Sequence, residues 1–287
     1  MKNLFLSVAV VLSASASFSQ EEKNYLPEAG DWAVGIDATP FLNYAGNLLG
    51  GGNSAPAWNA LTSQVITGKY FIDANTAYRG SLRLGFLSNS ASAMIGDATP
   101  NVNDGLVYPN LPAMVEDNAK FSNMNVTLGF GMEKRRGFGR LQGYYGAELG
   151  IGMSSSSESY KYGNDAVGGT AVNATNTTDW GQLGQDAWGN EARITEVKSG
   201  TAFFIGARAF IGAEYFVMPR LAVGGEFGWG LGFGTNGTSS VTMESTDGAT
   251  VGTQTVETSN GSGFGIDTDS ATGGFGPTGT LRMTFHF

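Results

Sequence analysis

Eight stretches of the chain alternate apolar and polar residues with a period of two, the pattern of a strand with one apolar face. They are Trp32–Ala38, Val65–Ile72, Tyr78–Phe86, Asn123–Glu133, Leu141–Ile151, Phe203–Tyr215, Leu221–Leu231 and about Thr278–Phe287. The last is the most regular. Leu281, Met283, Phe285 and Phe287 fall on one face, and Arg282, Thr284 and His286 on the other. An open amphipathic strand at a sheet edge invites aggregation, whereas a barrel closed in lipid has no edge. The pattern predicts an all-β fold: a transmembrane antiparallel up-and-down β-barrel of eight strands.

The connections alternate in length. Residues 39–64, 87–122, 152–202 and 232–277 are long; 73–77, 134–140 and 216–220 are short. Outer-membrane barrels have short periplasmic turns and long extracellular loops, so both termini are expected in the periplasm. The short turns carry Lys134, Arg135, Arg136, Arg140 and Arg220, expected to face headgroups. Loop 232–277 carries Glu244, Asp247, Glu257, Asp267 and Asp269 and no Lys or Arg. Within it, Ser240–Thr246 and Ala249–Glu257 flank Asp247-Gly248, a hairpin signal. This reads as an extracellular hairpin, because both its faces are polar; ten strands is the alternative. Residues 153–163 and 192–201 are expected to prolong their strands beyond the membrane, with Trp180 and Trp188 anchoring a small external cluster.

Composition sharpens this picture. Glycine makes up 44 of 287 residues and charged residues only 14%, against about a quarter in soluble domains. No later segment approaches a transmembrane helix. Lys2, the apolar run Leu4–Leu12 and the small residues from Ser13 to Ser19 read as a signal peptide. The expected organisation is signal peptide 1–19 and one barrel domain 20–287. Losing Lys2 takes the net charge from −9 to −10, which argues against a nucleic-acid partner.

The polar faces of the strands are glycine-rich and sparsely charged. Ranked by distance from the short turns, Asp37, Arg83, Glu148, Arg208, Glu226 and Arg282 lie at similar depth, alternating in sign, with the second and fourth strands contributing none. Buried charges require partners, so these six are expected to form an ion-pair network that plugs the lumen. The alternative is a charged constriction selecting ions or small apolar solutes, a porin-like channel.

Enzymatic chemistry finds little support. The single histidine, His286, reads as an inward-facing polar residue at the extreme periplasmic end, far from any serine or aspartate of the outer rim. There is no cysteine, which removes thiol nucleophiles, disulfides and a lipoprotein anchor. Asp267 and Asp269 are too few for a calcium loop. No catalytic residue, cofactor or metal is expected.

The eight segments, their alternating connections and the ending Met283-Thr284-Phe285-His286-Phe287 resemble the OmpA/OmpX-type outer-membrane barrels of Gram-negative bacteria. The resemblance runs from about Trp32 and does not extend to the peptidoglycan-binding domain of two-domain members. It implies a cell-outer-membrane location, contact with outer-membrane lipid and lipopolysaccharide, and assembly by the barrel-assembly machinery, with Met283, Phe285 and Phe287 as the assembly signal. It leaves activity open: a structural or interaction protein presenting acidic loops at the cell surface to a ligand or outer-membrane partner, or the channel. Ser17-Phe18-Ser19-Gln20-Glu21-Glu22 resembles signal-peptide ends of Bacteroidota. Asp269-Ser270-Ala271 then matches that phylum's short O-glycosylation pattern.

Overall fold

A computed structural model describes residues 25–38, 47, 66–99, 101–166, 183–247, 250–268 and 280–287. The signal peptide, Trp180 and the Asp269-Ser270-Ala271 motif lie outside these residues. Among the described residues, twelve antiparallel strands form one sheet: β1 Trp32–Asp37, β2 Ile66–Asp73, β3 Thr76–Gly96, β4 Met114–Phe138, β5 Leu141–Lys161, β6 Leu183–Gln185, β7 Glu191–Met218, β8 Leu221–Asn236, β9 Ser239–Thr246, β10 Val251–Thr258, β11 Ser262–Thr268 and β12 Thr280–His286. Eight of them close a ring in the order β1-β2-β3-β4-β5-β7-β8-β12. The ring shuts where β1 meets β12, from Ala33 opposite His286 to Asp37 opposite Arg282. Trp32 and Phe287 exchange both backbone hydrogen bonds, each 2.9 Å.

The ring strands are the eight read from the alternation, but several run much further. β3, β4, β5 and β7 are 21, 25, 21 and 28 residues long. Their extra length is rich in Ser, Asn and Thr, such as Ser154–Ser157 opposite Asn125–Ser122. These residues keep the pleat without an apolar face to reveal it. The connections shrink accordingly: β3 and β4 pair out to Gly96 opposite Met114.

Three of the four remaining strands, β6, β9 and β10, sit on this extension, and β11 lies along β8 of the ring. β9 and β10 form the hairpin, and the Asp247 carboxylate closes its turn by accepting the Thr250 N–H at 2.9 Å. β9 pairs with the outer part of β7, Ala192–Lys198, beyond the stretch that pairs with β8. β11 continues along β8 where β12 leaves off. β6 pairs with Glu191–Arg193 of β7.

The other end of the ring is tight. β2–β3, β4–β5 and β7–β8 are each joined by two residues. At the second, Gly139 takes φ +57°, a left-handed conformation that glycine adopts without strain. Arg135 was expected in this turn, facing headgroups. It is instead a strand residue whose side chain points inward and is buried, because β4 continues to Phe138.

Burial is reversed relative to a water-soluble sheet protein. Among the described ring residues, the apolar alternates point outward: Leu84, Phe86, Phe130, Leu149 and Ile205 are 58–68% exposed. The opposite face lines the interior, where Lys69, Arg79, Glu133, Arg208 and Glu226 are at most 4% exposed.

Candidate functional site

The interior of the ring holds a continuous ion-pair network. Its inner tier lies toward the tight turns. The Lys69 ammonium is 2.8 Å from Glu133 and 3.8 Å from Glu214. Arg135 binds Glu214 and lies 3.9 Å from Glu133. His286 Nε2 is 3.7 Å from Glu214, and its ring packs against Phe71 and Phe216 at 5.6 and 5.1 Å. This histidine is 4% exposed; it faces inward at the end of the ring that carries the tight turns, its backbone N–H donating to the Arg220 carbonyl. The Arg135 guanidinium lies 5.1 Å from the centre of the Phe71 ring, a cation–π contact strengthened by exclusion of water.

The second tier centres on Glu226. Its carboxylate takes a two-point contact from Arg79 at 2.6 and 2.9 Å, Arg208 at 2.7 Å and Arg282 at 3.2 Å. Glu148 receives Arg208 at 3.1 Å and Arg79 at 3.3 Å. Arg282 also donates to the Thr67 hydroxyl at 2.7 Å. Arg79, 3.9 Å from Glu133, links the tiers. Phe210 lies beneath Arg79, its ring centre 4.2 Å from the guanidinium carbon.

The sequence places these groups through register and small residues. Lys69 is opposite Arg79, Arg79 opposite Gly131, Gly131 opposite Glu148, and Glu148 opposite Arg208. Glycine leaves room for the long side chains beside it. A Cβ on Gly228 would lie 2.5 Å from Arg208 Nε, and one on Gly212 would lie 2.3 Å from the Tyr144 ring.

Of the six expected residues, the structure brings Glu148, Arg208, Glu226 and Arg282 together. Asp37 and Arg83 are half-buried. Asp37 faces Arg282 across the β1–β12 pairing, and Arg83 sits opposite Thr127, four positions further along β3 than Arg79. The expectation that the second and fourth strands contribute no charge is incorrect: β2 supplies Lys69 and β4 supplies Glu133 and Arg135. All three sit at strand positions that point inward, so period two alone marks them. Ranking by depth discarded them because it assumed a single plane, whereas arginine and lysine side chains are long enough to join two tiers.

The named interior groups are four carboxylates (Glu133, Glu148, Glu214, Glu226) and five cations (Lys69, Arg79, Arg135, Arg208, Arg282). Near balance of sign is what low-dielectric burial demands. The arrangement fills space and ties strands together. Among the described residues there is no cluster of three or more His, Asp or Glu suited to a metal.

A second polar cluster braces the extension. Arg193, 3% exposed, binds Glu244 at 2.8 Å and donates to the Asn164 carbonyl at 2.8 Å. It lies 4.5 Å from the centre of the Tyr162 ring, and burial pushes the Tyr162 phenol up from its usual pKa. The Asn164 side chain bridges Gly96 and Ala98, and Asp117 accepts the Gly163 N–H. The segment after β5 thereby ties the β3–β4 hairpin to β7 and β9. Asp186 organises the β6–β7 turn. Despite burial, which raises a carboxyl pKa, hydrogen bonds from Asn190, Ser245 and Trp188 hold it down to about 2.

No protein-family model matches the chain, and no curated protein matches it.

Proposed function

We propose that the chain is an integral outer-membrane β-barrel of the OmpA/OmpX type, with a lumen plugged by the ion-pair network. It acts as a structural or interaction protein presenting a braced, acidic outer extension. One observation carries the reading: the ring is inverted, with large apolar side chains exposed outside and charges buried inside. In water that outer face would be a continuous apolar surface far beyond the few hundred Å² usual on a soluble monomer. In hydrocarbon it is the favourable arrangement, because a closed ring pairs backbone groups from strand to strand and leaves no free sheet edge.

Strand geometry supports the orientation. The two-residue turns suit the periplasmic side; the long strands, hairpin and braced cluster suit the outside. Asp97, Asp104, Asp247 and Glu257 lie on or near those outer connections, while Glu244 is committed to Arg193. The leader read in residues 1–19 supplies the export that this location requires, and Met283, Phe285 and Phe287 supply the outward residues of the closing strand for the barrel-assembly machinery. The partners of this reading are outer-membrane lipid and lipopolysaccharide, and an outer-membrane or surface partner for the extension.

The test is depth. Trp229 is 45% exposed on the outer face of β8. In a variant retaining Trp229 as its only tryptophan, folded into liposomes, lipids brominated along the acyl chain should quench its fluorescence strongly. Quenching no greater than that of free tryptophan in the aqueous phase would overturn the membrane reading.

A further inference from the structure

A concave site of about 810 Å³ opens on the outer face of the sheet where the apolar rows end. Phe86 and Met124, opposite each other on β3 and β4, form its apolar side. Phe86 continues the outward row of Leu82 and Leu84. The next outward pair toward the extension is Ser122 opposite Ser157, followed by Lys198 opposite Ser157 on β7. Lys120 and Lys198 line the polar side. Lys161, also exposed, is opposite Asn118, next to the Lys120–Ser159 pair. Three lysines therefore gather on one outward patch of a chain whose net charge is −9.

The concavity has a structural cause. The β5–β7 register shifts between Ser155 and Ser157, and Gly200 takes φ +73° with no room for a Cβ against the Gly237 and Thr238 carbonyls. A bulge of this kind bends its strand and opens the neighbouring surface. Glu196 holds Lys198 at 2.6 Å, both partly exposed, a weak and exchangeable contact.

We propose that this groove binds the phosphorylated headgroup of an outer-leaflet lipid: the phosphates on Lys120 and Lys198, the hydroxyl row donating to phosphate oxygens, and the acyl chains running down past Met124 and Phe86 over the apolar rows. The inference rests on the membrane reading. An apolar band facing lipid must end at the headgroup layer, and a lysine pair set at that edge above an aromatic face matches an amphiphile with an anionic head. A free anion would use only half of the groove.

Native mass spectrometry of the detergent-solubilised full chain tests this with three probes: a bis-phosphorylated glycolipid, zwitterionic phosphatidylcholine and inorganic phosphate. The parent should retain the glycolipid at least tenfold better than phosphatidylcholine and should not retain phosphate. Lys120→Gln/Lys198→Gln should abolish that preference, and Glu196→Gln, which frees Lys198, should strengthen it. Equal retention of both lipids, equal binding of inorganic phosphate, an unchanged preference in the double variant, or a preference lost instead in Lys134→Gln at the far end of the ring would each overturn the proposal. Folding into pure phosphatidylcholine liposomes, read as a heat-modifiable band, reports membrane insertion alone. Insertion without lipid preference removes only the groove; failure to insert removes the membrane reading with it.

Discussion

Arg79 on β3 and Glu226 on β8 meet in a two-point ion pair across the interior, at 2.6 and 2.9 Å, although their strands are four places apart in either direction around the ring. Most other contacts of the network join strands one or two places apart. This one and the Lys69–Glu214 contact cross the ring. Glu226 also receives Arg208 and Arg282, so one carboxylate compensates three guanidinium groups.

Glu226→Ala should therefore be the most damaging single change in the interior. Removing one partner of a buried pair typically costs ~3–5 kcal/mol, because the remaining charge is left uncompensated in low dielectric. Arg79→Ala removes the crossing cation and should cost a similar amount, while the double variant should cost clearly less than the sum. Urea unfolding of the chain in lipid or detergent reads all three. Strict additivity would show that the two groups do not act as partners.

A network of this density should also close the lumen. An eight-stranded barrel has an interior just wide enough to be filled by side chains, and here Arg79, Arg208, Phe210 and Tyr144 occupy it. Planar-bilayer recordings of the parent should show no steady conductance. Large, stable single-channel steps would replace the plug with the porin-like reading.

The ring was legible in the sequence because period two survives wherever one face is uniformly apolar, as from Leu128 to Met132 or Leu281 to Phe287. The strand extensions were not, since Ser154–Ser157 alternate nothing that hydropathy registers. Within the network, Glu148, Arg208, Glu226 and Arg282 could be read from face and depth. Lys69, Glu133 and Arg135 lie on the right face but outside the single depth that the ranking assumed, and Arg135 lies three residues beyond Met132, the last apolar residue of its alternation, in what resembles a basic turn. The Arg193 cluster left no periodic trace, because Tyr162 and Asn164 act after β5 has ended.

That cluster should be energetically separate from the ring. Arg193→Ala removes a charge-assisted pair with Glu244 and a bond to the Asn164 carbonyl, contacts worth about 1.5–3 kcal/mol each when a charged group is involved. Hydrogen exchange should rise at residues 162–166 and along β9, with unfolding of the ring strands unchanged. Loss of the heat-modifiable folded form in this variant would show that the extension and ring are one cooperative unit.

The closing strand makes its own prediction. Phe287 is 58% exposed on the outer face and shares two backbone hydrogen bonds with Trp32. Deleting it removes a bonded pair at the seam as well as the terminal aromatic side chain. Phe264→Ala, on β11 beyond the end of β12, removes a similarly exposed ring, 73%, and leaves the seam intact. Membrane assembly in cells should fall several-fold for the deletion and little for Phe264→Ala. Equal amounts of heat-modifiable folded protein would remove Phe287 from the assembly signal.

Topology can be read with a protease on intact cells. In the proposed orientation the connections at 97–113, 186–190 and 247–250 belong to the outer side, and Tyr108, Leu111 and Trp188 in the first two are 83–95% exposed. Cleavage should occur there and spare the two-residue turn at Gly139-Arg140, despite its adjacent Phe138, 94% exposed, and the trypsin target Arg140. Permeabilising the outer membrane should expose Arg140 to trypsin without changing the outer cuts. Cutting confined to the Arg140 side in intact cells would invert the chain in the membrane, placing the braced extension and the lysine groove in the periplasm.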